Sequence, residues 1–111
     1  MSYQKIYEAL LAYEPKTLIA GAYQQDGLRC AIGVVLPSTR SYRTGHIETL
    51  FYEDEKVAQE LRALDCTLDE EAMVQAQNDR YANEDPSTRY QRVLQYLKVK
   101  VEAEDTHRGS V

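Results

Sequence analysis

The chain has 111 residues, of which 43% are hydrophobic and 28% are charged, a composition typical of one globular domain rather than of a disordered or fibrous chain. Eighteen acidic and thirteen basic side chains give a net charge of −5 at pH 7, which disfavours binding to nucleic acid because such binding needs a positive field. The aromatic residues are nine Tyr and one Phe, without Trp, and tyrosine rings can pack while their hydroxyls reach water or a partner.

The pattern of the chain indicates neither a metal site nor a membrane segment. Cys30 and Cys66 lie 36 positions apart, without a CxxC pair or a histidine at ligand spacing, so we expect no zinc site. No apolar stretch approaches the roughly 20 residues that span a bilayer, and the N-terminus lacks the pattern of a signal peptide. We therefore expect a cytoplasmic protein without a metal or cofactor, whose cysteines stay reduced.

The first element is predicted to be an amphipathic helix. Its apolar residues recur at i, i+3, i+4, i+7 and i+8, the spacing of one helical face. They are Tyr3, Ile6, Tyr7, Leu10 and Leu11. Ser2 is a suitable N-cap because its hydroxyl can accept a hydrogen bond from a backbone N–H of the first turn. Pro15 ends the helix, since proline disfavours the helical conformation in the residue before it.

The segment 18–36 allows two structures. Asp26 and Gly27 at its centre form a strong turn signal. Either the flanking stretches 18–23 and 28–36 are the strands of a hairpin across that turn, or they are short helical segments that pack closely through small residues. The β-branched residues of the second stretch favour the hairpin slightly.

Residues 37–45 predict an exposed loop, because they lack an apolar period and are rich in turn formers. Two helices are predicted after this loop, and Asp54 can cap the second of them. Their apolar stripes are Ile47, Leu50 and Phe51 in the first helix and Val57, Ala58, Leu61 and Leu64 in the second.

A further helix is predicted to begin at a capping box. Thr67 is the N-cap and Glu70 occupies the third helical position, so each side chain can bond the other's backbone N–H. The helix should end near Asn78 and Asp79, which are common in turns. We expect it to direct inward the apolar residues Leu68, Ala72, Met73 and Ala76.

The last helix has the clearest signals. Asp85 is its predicted cap, and Pro86 occupies the first helical position, where proline is favoured. Its apolar face consists of Tyr90, Val93, Leu94, Leu97 and Val101. Residues 102–111 lose this periodicity and predict a flexible C-terminal tail.

Charge is distributed unevenly along the chain. The stretch between Gly27 and Ile47 has no acidic residue and carries a formal charge of +3, which leaves −8 on the other residues. Its basic residues are Arg29, Arg40 and Arg43. They can balance carboxylates elsewhere on the molecule, or they can contact an anion or an acidic partner together with neighbouring hydroxyl groups.

The tyrosines divide into two predicted groups. Those on apolar helical faces, which we expect in the core, are Tyr3, Tyr7 and Tyr90. Those in or near predicted loops, which we expect to be exposed, are Tyr23, Tyr42, Tyr52 and Tyr81. Exposed tyrosines and arginines are the residue types that dominate hot spots in protein interfaces.

Three short motifs occur along the middle of the chain. They are Gly21-Ala22-Tyr23, the Asp26-Gly27 turn followed by Cys30-Ala31-Ile32-Gly33, and the distal pair Asn78-Asp79 before the last helix. Between Ala20 and Leu97 the chain thereby resembles a family of small uncharacterised domains from bacteria and their phages. The chain has Ile19 and Gln77 at positions where members of that family often have Trp. The resemblance implies a compact, mainly helical domain in which Cys30 begins a buried helix, and it implies no activity.

Cys30 is the candidate for catalytic chemistry. A helix N-terminus and the neighbouring Arg29 would favour its thiolate, and His46 with Asn78 or Asp79 could supply a base and an orienting group. The alternative is a small buried side chain at a place where close packing selects for small residues. Asn78 and Asp79 likewise have an alternative role in capping and turn hydrogen bonds.

The sequence therefore predicts a mainly α domain of four to five helices over residues 1–101, with a hairpin at 18–36 as the alternative α+β structure. The predicted function is that of a small cytoplasmic module that binds another protein without catalysis, through the Ser38–His46 loop and neighbouring tyrosines. The candidate binding residues are Arg29, Arg40, Tyr42, Arg43 and Asp79. The alternative function is a cysteine-dependent hydrolase or transferase that uses Cys30.

Overall fold

The computed structural model describes residues 3–42 and 46–109, with side chains up to residue 104. Within these ranges the fold is mainly α, as predicted, with one short hairpin. The elements are α1 (Tyr3–Ala12), β1 (Gln24–Gln25), β2 (Leu28–Arg29), α2 (Ala31–Val35), the 3-10 helix η1 (Pro37–Ser41), α3 (Ile47–Glu53), α4 (Glu55–Ala63), α5 (Leu68–Asn78) and α6 (Pro86–Gly109). The predicted cap Ser2 and the candidate residue Arg43 lie outside the described residues. None of the described helices is long and apolar enough to cross a membrane.

The most extensive helix contact joins α1 to α6. The two helices run antiparallel: the Tyr90 hydroxyl near the start of α6 donates a hydrogen bond of 2.7 Å to the Leu10 carbonyl near the end of α1, and Tyr3 lies beside Tyr96. The buried residues of this contact are Tyr3, Ile6 and Leu10 on α1 and Tyr90, Val93, Leu97 and Val101 on α6. Each such side chain stabilises the fold by about 2 kcal/mol when it leaves water. The predicted apolar faces therefore contribute most of their residues to the core, but Tyr7 and Leu94 are only half-buried, and the prediction was wrong for Leu11, which is 43% exposed.

The helix starts predicted at Asp54, Thr67 and Asp85 are confirmed. One carboxylate oxygen of Asp54 accepts hydrogen bonds from the backbone N–H groups of Lys56 and Val57, which separates α3 from α4. Both bonds of the capping box at Thr67 are present. An oxygen of Asp85 accepts from the first free N–H groups of α6. These caps depend on near neighbours in the chain, which is why local sequence identifies them.

The segment 18–36 contains a piece of each predicted structure. Asp26 and Gly27 have φ angles of 53° and 79°, the left-handed pair of a tight two-residue hairpin turn. The hairpin is only two residues long on each side, and α2 begins directly after Cys30. Gly33 in α2 packs against Tyr23, where a Cβ would lie 2.1 Å from the Tyr23 carbonyl oxygen. Only glycine permits this close approach, which returns α2 onto the chain before the hairpin.

Two predicted boundaries differ from the structure. The stretch predicted as an exposed loop contains the 3-10 helix η1, in which the Thr39 side chain is buried and its hydroxyl bonds the Leu36 carbonyl. α6 continues to Gly109, past Val101, the last residue recorded as buried on that helix. The flexibility predicted for residues 102–111 stays a prediction.

The inward face of α5 is not the one that the apolar residues predicted. Its buried residues are Glu71, Val74 and Asn78, which recur at helical spacing. Ala72 and Ala76 are exposed, as is Met73, which is 51% exposed, and Leu68 is half-buried. The prediction for Ala72, Met73 and Ala76 was therefore wrong, because tertiary hydrogen bonds at Asn78 set the rotation of the helix.

Glu71 is an acidic side chain without solvent exposure. Among the described residues neither of its carboxyl oxygens has a hydrogen-bond partner. Burial, with a smaller contribution from Glu70, raises the pKa of the Glu71 carboxyl to about 7, because an apolar environment disfavours the charged form. Between pH 4.5 and pH 7 the Glu71 carboxyl is therefore mostly protonated in the folded state and mostly ionised in the unfolded chain.

We expect this carboxyl to make the protein less stable at high pH. The pKa of the Glu71 carboxyl is about 7 in the folded state and 4.5 ordinarily. Its burial therefore does not lower the free energy of unfolding below pH 4.5, and lowers it by about 3 kcal/mol above pH 7. Glu71→Gln removes this titration, and its free energy of unfolding should gain about that amount relative to the native chain between pH 4.5 and pH 8. Chemical denaturation across this range tests it, with the exposed Glu102→Gln as the control. Parallel stability profiles for the native chain and Glu71→Gln would contradict the assignment.

Candidate functional site

The buried side chain of Asn78 joins three parts of the chain. Its Oδ1 accepts a hydrogen bond of 2.9 Å from the Ala31 N–H at the start of α2. Its Nδ2 donates to the Ile19 carbonyl and to Asp79 Oδ1, both at 2.8 Å. The same Asp79 oxygen accepts from the Gly21 N–H at 3.4 Å. The pair that the sequence singled out therefore fixes the end of α5 to α2 and to the irregular segment before β1.

A buried arginine, which the sequence analysis missed, supports the same segment. Arg89 is 3% exposed and donates hydrogen bonds to the carbonyls of Leu18 and Tyr81, while its Nε lies 3.6 Å from a Glu84 oxygen. Buried irregular backbone needs such partners because it lacks the hydrogen bonds of a helix or sheet. Arg89 precedes Val93 by four residues on the buried face of α6, so helical spacing could have identified it.

Cys30 is the N-cap of α2. Its Sγ accepts a hydrogen bond of 3.4 Å from the Gly33 N–H, and the residue is 2% exposed. Burial raises the pKa of the thiol to about 11 despite the backbone N–H groups that favour the thiolate. A nucleophilic cysteine needs an accessible thiolate, so these contacts favour the packing role of Cys30 over the catalytic one.

The three candidate catalytic residues occupy different environments. Asn78 lies next to the Cys30 cap through its bond to Ala31, but both polar groups of its carboxamide are engaged there. His46 is exposed and precedes α3, where it lines a cleft whose recorded lining includes neither Cys30 nor Asn78. These contacts provide no observation in favour of a Cys-His-Asn site.

That cleft, named here the α3–α5 cleft, has a volume of about 410 Å³. It lies between the start of α3 and the first turns of α5, and its lining mixes apolar and acidic side chains. Its lining includes His46, Ile47 and Glu48 on one side and Leu68, Asp69 and Ala72 on the other. Next to it, Ala72, Met73 and Ala76 form the α5 outer face. The cleft is thus bordered by the apolar residues that the sequence predicted to be buried.

Residues 38–42, the first described part of the Ser38–His46 loop, are held by hydrogen bonds to α4 and its cap. The backbone N–H and hydroxyl of Ser38 donate to the two carboxylate oxygens of Glu60 at 2.9 and 2.7 Å. The Tyr42 hydroxyl donates to Asp54 at 2.7 Å, and this bond lowers the pKa of the Asp54 carboxyl. Arg40 is exposed. Among the described residues of the loop, the side chains of Ser38, Thr39 and Tyr42 therefore stabilise the loop's own conformation.

The predicted exposure of the loop tyrosines is partly confirmed. Tyr52 is 73% exposed and Tyr81 is 48% exposed. Tyr42 is half-buried, and Tyr23 was predicted to be exposed but is 1% exposed. The Tyr23 carbonyl accepts from the Cys30 N–H, so closure of the hairpin places Tyr23 in the core.

Replacing Asn78 should weaken the whole fold. Asn78→Ala leaves the Ala31 N–H and the Ile19 carbonyl without these bonds, and each buried polar group left unpaired costs about 1–3 kcal/mol. We expect a loss of about 2–4 kcal/mol in the free energy of unfolding, measured by chemical denaturation. The exposed Asn83→Ala is the matched control and should change stability by less than about 0.5 kcal/mol. Equal effects of the two substitutions would contradict the role of Asn78.

The two thiols should react at different rates in the folded protein. Because Cys30 is buried with a raised pKa and Cys66 is half-buried, we expect a thiol reagent to modify Cys66 first and Cys30 only when the protein unfolds. Cys66→Ser should therefore label slowly, whereas Cys30→Ser should keep the faster reaction. Fast labelling of folded Cys66→Ser would restore the catalytic interpretation of Cys30.

Comparison with known proteins does not assign the chain to a family. No family model, curated protein or solved structure matches it. The resemblance to small bacterial and phage domains therefore stays a prediction.

Proposed function

We propose that this protein is a small, non-catalytic module that binds another protein through the α3–α5 cleft and the α5 outer face. The observation that carries the proposal is the rotation of α5. Three of its apolar residues, Ala72, Met73 and Ala76, face outward, while Glu71 and Asn78 are buried together with Val74. This arrangement is unfavourable for an isolated domain, because it exposes apolar atoms and desolvates a carboxyl.

The α5 outer face has the composition of a contact surface. Single exposed apolar residues are ordinary on proteins, but these three are neighbours on one helix. One of them, Ala72, lines the α3–α5 cleft together with Ile47 and Leu68. Concave apolar surfaces favour binding. Met73 adds adaptability, because the unbranched methionine side chain adjusts to different apolar partners.

The walls of the α3–α5 cleft are held in place by contacts elsewhere in the fold. The Asp54 cap separates α3 from α4, the capping box orders the start of α5, and Asn78 fixes its end. A surface that is ordered before binding loses little conformational entropy when a partner arrives. These contacts support a binding role for the cleft without requiring a rearrangement.

The predicted Ser38–His46 loop contributes its last residue to the proposed binding surface. His46 lines the α3–α5 cleft, whereas Ser38 and Tyr42 bond residues of the same chain. Arg29 donates to the Gly33 carbonyl, and Asp79 accepts from Asn78, so these two candidate binding residues also have structural contacts. Arg40 is exposed, so a variant at this position belongs in the test. The cytoplasmic location predicted from the sequence remains part of the proposal.

Affinity capture from a bacterial lysate tests the proposed surface. Ala72→Gln/Met73→Gln places polar chains on the α5 outer face without changing net charge. Its matched control is Ala103→Gln/Val99→Gln, which replaces an exposed alanine and an exposed apolar residue on α6. We expect the native chain and the control to retain the same proteins by mass spectrometry, and the α5 variant to retain at least tenfold less.

Two outcomes would contradict the proposal. Unchanged capture by the α5 variant would exclude the surface, and capture by the native chain no greater than by blank resin would argue against a protein-binding module. If only Arg40→Glu reduces capture, the partner binds the predicted Ser38–His46 loop and not the α5 outer face. Circular dichroism of each variant establishes that the changes in capture do not reflect unfolding.

A further inference from the structure

We infer that the segment bound by the α3–α5 cleft is a cationic amphipathic helix. The inference rests on the proposed function and adds the chemical class of the partner. Two features of the cleft support it: its position between two helices, and its carboxylates, which have no ion pair among the described residues.

The charged lining of the cleft is acidic. Glu48 and Asp69 line it from opposite helices, and among the described residues neither has a recorded ion pair. Among the described residues that line the cleft there is no Lys or Arg. A partner with Lys or Arg side chains complements this charge.

The apolar lining favours a helix as the partner element. Leu68 and Ala72 of the lining and the neighbouring Ala76 follow one another at intervals of about one helical turn along α5. The two small side chains allow another helix to approach closely, and Met73 lies beside them. An amphipathic helix presents apolar residues with the same period. The long stems of Lys or Arg can then pack on apolar surface while their charged ends reach Glu48 and Asp69.

The acidic partner suggested by the basic stretch 27–47 receives less support from these contacts. Arg29 is half-buried and donates to the Gly33 carbonyl. Arg40 is exposed on η1 and is not part of the recorded cleft lining. The apolar surface and the negative charge occur together at the α3–α5 cleft, so the observations there favour a cationic segment.

Two designed peptides of about 18 residues, long enough to form a helix, test the partner class. One has Leu on one face and Lys on the other, and the second has Glu in place of Lys. We expect the Leu/Lys peptide to bind the native protein by fluorescence anisotropy at low ionic strength. Glu48→Gln/Asp69→Asn should weaken this binding about tenfold. Glu14→Gln/Glu102→Gln removes the same charge from exposed positions elsewhere and should have little effect.

Ala72→Gln/Met73→Gln should also weaken the binding of the Leu/Lys peptide. Equal weakening by Glu14→Gln/Glu102→Gln would show attraction to net charge alone and would overturn the inference. Preference for the Leu/Glu peptide would overturn it as well. If neither peptide binds while lysate capture still depends on the α5 outer face, the partner class is wrong and the proposed function stands.

Sedimentation of the native protein tests a second copy of the chain as the occupant. We expect a monomer over the concentrations used for peptide binding. Self-association that Ala72→Gln/Met73→Gln abolishes would identify the occupant as another copy and would contradict the cationic helix.

Discussion

The hydrogen bonds of the Asn78 carboxamide connect the end of α5, the start of α2 and the irregular segment before β1. This segment is neither helix nor strand, so its buried polar groups need partners from side chains. Asn78 and Arg89 supply them at the carbonyls of Ile19 and Leu18. Close packing at Gly33 then holds α2 against Tyr23. One buried amide thus determines how the middle of the chain is arranged around α6 and α1.

The same amide determines which face of α5 is exposed. A helix turns by about 100° per residue, so a rotation that buried Ala72 and Ala76 would withdraw Asn78 from its partners. The fold keeps the bonds of Asn78, and Glu71 shares its buried face without a partner among the described residues. The α5 outer face is the consequence, and it borders the α3–α5 cleft. Stability and the proposed function therefore depend on a common contact.

The sequence predicted those parts of the fold that depend on near neighbours. The caps at Asp54, Thr67 and Asp85 follow from local hydrogen bonds, and the apolar period of α6 follows from its long buried contact with α1. The inward face of α5 could not be predicted in this way, because the partners of Asn78 are 47 and 59 residues away. The α3–α5 cleft could not be predicted for the same reason, because its two walls are distant in the chain. In addition, the apolar residues of α5 recur at the spacing that is typical of a buried helical face.

The contacts around Asn78 also bear on the role of Cys30. As the cap of α2 it is covered by the structure that Asn78 holds together, which favours packing and leaves binding as the function best supported by the contacts. Amide hydrogen exchange at Ala31 tests the central contact most directly. This N–H should exchange only through global unfolding, and Asn78→Ala should abolish this protection. Exchange as fast as that of the exposed Asn83 amide in the native protein would contradict it.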